Sequence, residues 1–269
     1  MIGVLAFEFF RNALLAGLLA SVACGVIGTY VVVKRMVSLA GGISHAAFGG
    51  IGLGYYLGLD PILSATAFTV AVALGMGDLS LRRRQNLDTL VGAVWAGGMA
   101  LGILFVYLSP GFAPDLFGYL FGNILLVPAD AILWMAVLVG VILAVTALFA
   151  RDLMAVTFDE EYARVMNLHV EGIFLLLLVL VALTVVMLIQ VVGIILVIAL
   201  LTIPAAIARE YATDLAGMMV RAVALGAVFT VGGIFCSYFL DVPSGATIIL
   251  IAVAAYGAVM GVRTILPGR

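Results

Sequence analysis

The chain is poor in what a water-facing surface requires. Only 10% of its 269 residues are charged, 12 basic and 14 acidic. A soluble domain carries about 25% charged residues, so that class is excluded. The net charge of −2 names no partner class, and nothing points to nucleic acid. Cysteine is nearly missing: Cys24 and Cys236 both lie in apolar runs and read as small buried hydrophobes, not as a disulfide or metal cluster. Polar and apolar residues do not alternate along the runs, which excludes an outer-membrane β-barrel. No G-x-x-x-x-G-K-[ST] phosphate loop occurs, so the chain is not itself an ATPase or, on this reading, an enzyme.

What is present is hydrocarbon. The chain is 66% hydrophobic, with a mean hydropathy of +1.34. Apolar runs fall at 12–33, 43–58, 61–81, 88–108, 128–150, 170–190, 192–208, 217–240 and 245–263. A run of about 20 residues crosses a bilayer as a helix, because lipid offers the backbone no hydrogen-bond partner. The expected fold is an all-α polytopic membrane protein, one transmembrane domain over 1–269, with eight or nine crossings. The second and seventh runs are short and rich in glycine or proline, and so are candidates for broken or half-spanning helices. The first run is too long for a signal-peptide core and lacks a small-residue cleavage pattern, so it is expected to persist as a helix.

The basic residues orient this bundle. With nine alternating crossings, Lys34, Arg35, Arg82, Arg83, Arg84, Arg151, Arg164, Arg209, Arg221, Arg263 and Arg269 share one face, and only Arg11 lies on the other. The positive-inside rule makes the crowded face cytoplasmic. The N-terminus is then outside and the C-terminus inside. Glu8, Asp60, Asp115, Asp130 and Asp241 fall on the outer face, where they favour cations or are simply tolerated.

Two cytoplasmic segments exceed a minimal connector. FDEEYARVMNLHVEG (158–172) has the composition of a short charged helix. IPAAIAREYATDLAG (203–217) follows the apolar run, carries Arg209, Glu210 and Asp214, and begins beside Pro204, which is expected to end or kink the seventh segment. Either segment suits docking to a soluble partner or resting in the lipid interface. Asp60-Pro61 is expected to start the third helix, Asp88 to meet Arg82–Arg84, His169 to be solvated, and Trp95 and Trp134 to be packing or interface residues.

One residue is out of place. LAGGISHAAFGG (39–50) puts His45 in the middle of an apolar run. Ionisable groups within a membrane are functional by default, since burying one idly is costly. A neutral imidazole binds transition metals without adding charge. The alternative is a structural histidine bonded to a neighbouring carbonyl or hydroxyl, such as that of Ser44.

Three stretches carry a resemblance. LAGGISHAAFGGIGLGYYLGLDP (39–61), RRRQNLDTLVGAVWAGGMALGI (82–103) and QVVGIILVIALLTIPAAIAR (190–209) resemble segments of the permeases of bacterial and archaeal ABC importers for zinc, manganese and iron. FDEEYARVMNL (158–168) fits the charged segment before their sixth span. The resemblance implies a cobalamin-importer-like (type II) ABC permease in a prokaryotic cytoplasmic membrane. It implies a divalent transition metal as transported substrate, zinc or manganese first and iron next, with no permanently bound cofactor. The implied partners are a second copy of the chain, a cytoplasmic ATP-binding subunit that hydrolyses ATP, and an extracytoplasmic metal-binding protein. Coupling to the ATPase is expected within Ala205–Gly217, at Arg209, Glu210 and Asp214.

The same resemblance makes His45 a metal-contacting residue. It also exposes a departure, because relatives have an aspartate one turn earlier where this chain has Gly41. Asn123 and Gln190 are the neutral candidates to complete the site. Two other readings stay open. One is an importer of the same architecture for a chelated metal, siderophore or corrinoid. The other is an ion-coupled secondary transporter, a class that commonly carries several intramembrane carboxylates.

Overall fold

Each of the nine apolar runs forms a helix in the computed structural model, which describes residues 4, 6–83, 87–110 and 116–265 and leaves aside the side chains of 82, 83, 87, 116, 117 and 190. In chain order the helices are α1 (Glu8–Val33), α2 (Val37–Leu57), α3 (Pro61–Arg83), α4 (Leu87–Leu108), α5 (Leu116–Phe121), α6 (Ala129–Leu148), α7 (Ala150–Phe158), α8 (Glu160–Val165), α9 (Val170–Val192), α10 (Ile194–Tyr211), α11 (Leu215–Leu240) and α12 (Ser244–Ile265). A short 3-10 turn, Ile124–Leu126, lies between α5 and α6. Nine of these helices, all but α5, α7 and α8, are long and apolar enough to cross a membrane. Among the described residues there is no strand.

The second and seventh runs are whole helices, of 21 and 18 residues, and not half-spans. Pro204 does not end α10, which continues seven residues past it to Tyr211. A proline inside a membrane helix removes one backbone donor, and tight neighbours make the interruption tolerable. Pro204 is buried, as are Ala205, Ile207 and Ala208 on the same helix. The segment 203–217 is therefore the end of α10, a three-residue turn and the start of α11, with no separate helix. The predicted charged helix is present as α8, whose first N–H groups are capped by Asp159 through Tyr162 N–H at 2.9 Å. Asp60 caps α3 in the expected way, accepting from the N–H groups of Ile62 and Leu63 at 2.9 and 2.8 Å.

The centre of the bundle is α1, α2, α9 and α10. The apolar window of α2 is 83% buried and that of α12 only 17% buried, so α12 belongs to an outer ring with α3, α4 and α6. Close approach of α1 to α11 depends on small residues. Ser21 on α1 meets Thr230 on α11 at 3.3 Å between hydroxyls, and a Cβ on Gly25 would stand 2.6 Å from Val223 N. Gly193 alone links α9 to α10, with φ 78° and ψ 157°, a conformation open essentially to glycine. Cys24 is buried on α1 as expected, whereas Cys236 is exposed on α11.

Candidate functional site

Helix α2 is wedged between α3 and α4, and glycines on two of its faces permit this. Toward α3, a Cβ on Gly50 would lie 2.7 Å from Ala65 Cα. Toward α4, Gly49 and Gly52 oppose Gly98 and Gly102, a G-x-x-x-G pair that brings two backbones together. A Cβ on Gly98 would stand 2.6 Å from Ala46 Cα, and one on Gly52 would stand 2.8 Å from Gly102 Cα. Positions 41, 45, 49 and 52 recur every three or four residues and share one face of α2. The glycines that close the seam thus carry His45 into it.

His45 is 8% exposed. Its ring stacks on the Trp95 indole of α4, with centroids 4.0 Å apart and planes 14° from parallel. One turn further along α4, Met99 Sδ lies 3.2 Å from His45 Nδ1. A thioether only accepts, so this contact makes Nδ1 the N–H donor and leaves the Nε2 lone pair for a cation. Ser44 does not serve as the imidazole's partner: its hydroxyl donates to Ala40 C=O at 2.8 Å, and Nδ1 meets Met99 instead. At Gly41 a Cβ would meet nothing but Trp95 Cζ3, at 3.7 Å. Trp95 therefore lies over position 41, and Gly41 itself is not demanded by packing. Trp95 packs, as expected, and the ring it packs on is His45. The i, i+4 spacing puts Trp95 and Met99 on one face of α4, but it does not say that this face meets α2.

The other candidates lie elsewhere. Asn123 Oδ1 accepts from Leu125 N–H at 3.2 Å and so caps the 3-10 turn. It lines a cavity of about 300 Å³ with Tyr119, Val127 and Val191. Tyr119 on α5 meets α2 at Tyr55, their hydroxyls 2.9 Å apart. Tyr55 is ten residues, about 15 Å, along α2 from His45. Gln190 falls in α9, but its side chain lies outside the described residues, as does the expected pairing of Asp88 with Arg82–Arg84. No group of three His, Cys, Asp or Glu side chains gathers at metal-binding distance among the described residues. Within one chain, His45 therefore offers a single imidazole beside a thioether.

At the opposite end of α10 the charges are already in use. Arg263 on α12 forms an ion pair with Glu210, donates to the Glu210 carbonyl, and lies 5.5 Å from the Tyr211 ring. Asp214 caps α11, accepting from Gly217 N–H at 2.7 Å. Arg209 is exposed and makes no ion pair among the described residues. His169 is exposed at the start of α9, as expected.

Comparison with known proteins gives this architecture a family. The sequence profile of the ABC 3 transport family matches residues 6–263. An uncharacterised membrane protein of Synechocystis sp. is 47% identical over 256 residues, 95% of this chain and 91% of its own length. The manganese transport system membrane protein MntC of Listeria monocytogenes is 32% identical over 251 residues, 93% of this chain and 89% of its own. Among solved structures, a chain of PsaBC from Streptococcus pneumoniae, in complex with Fab, superposes with a TM-score of 0.87 at 32% identity, covering 96% of this chain and 93% of that one. An inward-facing transporter of proposed metal-chelate type gives a TM-score of 0.76 at 16% identity, over 93% of this chain and 85% of its own, and shows the shared fold alone. The bundle, with nine membrane-length helices among the described residues and a type II-like arrangement, is that of an ABC permease, and the chain belongs to the ABC 3 transport family.

Proposed function

We propose that this protein is the membrane permease of an ABC importer that carries a divalent transition metal into a prokaryotic cell. The observation that carries the reading is His45, an imidazole buried at a glycine-built seam with Nε2 left to a ligand. Family membership supplies the transport class, and the manganese named for MntC makes manganese the first metal to test, ahead of zinc and iron. Divalent metals want about four or more ligands, and one chain supplies a single imidazole nitrogen here, since Met99 Sδ lies at Nδ1 on the other side of the ring. A second copy across a two-fold axis, contributing its own His45, supports a shared site. A weak, multi-part site also suits a conduit, which must release what it binds.

The chain's part in the cycle is to open alternately to either side while a separate ATP-binding subunit hydrolyses ATP and an extracytoplasmic protein delivers metal. The basic ends of α1, α8 and α12 are taken as the cytoplasmic face, with the N-terminus outside. Coupling to the ATPase is assigned to the α10–α11 corner. Arg209 is the side chain there left open for a partner, while Glu210 and Asp214 shape the corner through the Arg263 pair and the α11 cap. Pro204 is the proposed hinge of α10.

The test is uptake into vesicles holding the permease with its ATPase and binding protein, offered manganese, zinc and iron in turn. ATP-dependent accumulation of one free metal supports the reading. Accumulation of a chelate and of no free ion would transfer it to the chelate importer. Uptake driven by a proton or sodium gradient without ATP would make it a secondary transporter.

A further inference from the structure

The metal pathway leaves a second feature unused, a cavity of about 530 Å³ where α1 turns into α2. Its walls come from the α1–α2 turn, the end of α3, α7, α8 and α9. Lys34, Arg35 and Arg164 face it with one carboxylate, Glu160, so three cations stand against one anion. Lys34 has a side chain only 9% exposed. Its ammonium donates to Val156 C=O at 2.8 Å and to Glu160 Oε1 at 2.5 Å, which leaves Glu160 neutralised. Neither Arg35 nor Arg164 forms an ion pair among the described residues. Thr157, 8% exposed and also in the lining, has a buried hydroxyl with no hydrogen-bond partner. Thr69 and Thr146 share this condition, but of the three only Thr157 lines the cavity, and each buried polar atom without a partner calls for an explanation.

The remaining walls are apolar: Met36, Leu39, Leu81, Phe158 and Phe174 among them. A free phosphate would gain nothing from those surfaces, whereas a phosphodiester carried on acyl chains would use both halves of the cavity. We propose that this cavity binds the headgroup phosphate of an anionic glycerophospholipid. Arg35 and Arg164 pair with the phosphate, the Thr157 side chain turns its buried hydroxyl toward a phosphate oxygen, and the acyl chains lie along Leu81 and Phe158. The lipid would fasten α7 and α8 to the α1–α2 turn, joining the segment before α9 to the helix that carries His45. Only the leaflet, the inner one, rests on the orientation proposed above. The binding itself does not depend on that orientation or on the identity of the metal.

The experiment is native mass spectrometry of the complete permease–ATPase complex, titrated with phosphatidylglycerol, phosphatidylcholine or inorganic phosphate. Phosphatidylglycerol should bind selectively. Because each basic residue near an anionic lipid contributes about a factor of five, Arg35→Asn with Arg164→Gln should weaken it about thirtyfold. Asparagine suits position 35, whose φ is 59°. Thr157→Val, which removes the hydroxyl and keeps the shape, should weaken it as well. Equal retention of phosphatidylcholine, or full competition by inorganic phosphate, would overturn the lipid assignment. If the double variant does not assemble, the selectivity of the parent complex decides alone. Unchanged binding in an assembled double variant would place any lipid elsewhere.

Discussion

Replacing Gly52 by alanine adds one methyl at the tightest point of the α2–α4 seam. The new Cβ would stand 2.8 Å from Gly102 Cα and 3.0 Å from its carbonyl carbon, with the carbonyl oxygen closer still. Carbon atoms rest at about 3.5–4.0 Å, so the helices must part by roughly 1 Å, and backbone cannot turn aside as a side chain could. Overpacking of this kind costs about 1–3 kcal/mol. Alanine at Gly41, on the same face of the same helix, meets only Trp95 Cζ3 at 3.7 Å. It should leave stability unchanged or raise it by up to about 1 kcal/mol, the usual difference between alanine and glycine within a helix. At about 2–4 °C per kcal/mol, Gly52→Ala should melt several degrees below Gly41→Ala in the purified complex. Gly52 is seven residues, about 10 Å, from His45, so the wider seam should also loosen the Trp95 stack and change Trp95 fluorescence. Equal melting temperatures and unchanged fluorescence for the two variants would refute the claim that this seam is closed by glycine.

Trp95→Ala removes the ring against which His45 is held and should lower uptake with the complex still assembled, whereas Trp134→Ala, at an exposed position on α6, should not. Gly193→Ala puts a side chain at φ 78° and a Cβ 2.5 Å from Phe121 C; it should abolish accumulation of folded protein in membranes, measured by size-exclusion profile. Arg263 and Glu210 are partly exposed, so the double-mutant cycle Arg263→Gln with Glu210→Gln should give about 0.2–1 kcal/mol of stability. The same variants should change the number of ATP molecules hydrolysed per metal transported if the α10–α11 corner couples the two subunits.

The span count was legible because lipid allows the backbone few alternatives: hydropathy alone locates α1, α3, α4, α6, α9, α11 and α12 within a few residues. It understated α2 and α10, since glycine and proline signal a break only where nothing packs against them. Here Gly102, Ala65 and the α10 neighbours fill those faces. His45 was visible as an isolated imidazole in hydrocarbon, but Trp95 and Met99 were not, because their meeting with it depends on the rotation of α4 about its axis. Charge pairing was equally hidden. Glu210 and Asp214 looked available to a partner, yet one is tied to Arg263, 53 residues later, and the other to the first turn of its own helix.

The central claim is that His45 lies on the metal path, and uptake by the His45→Ala variant tests it most directly. The measurement is initial ATP-driven manganese uptake in vesicles containing the permease, ATPase and binding protein, with subunit assembly and ATP hydrolysis recorded alongside. The account predicts loss of most uptake while assembly persists and Met99→Leu, which retains the shape of the pocket, transports at a reduced rate. Full uptake by an assembled His45→Ala complex would contradict it and make the buried imidazole a packing residue beneath Trp95.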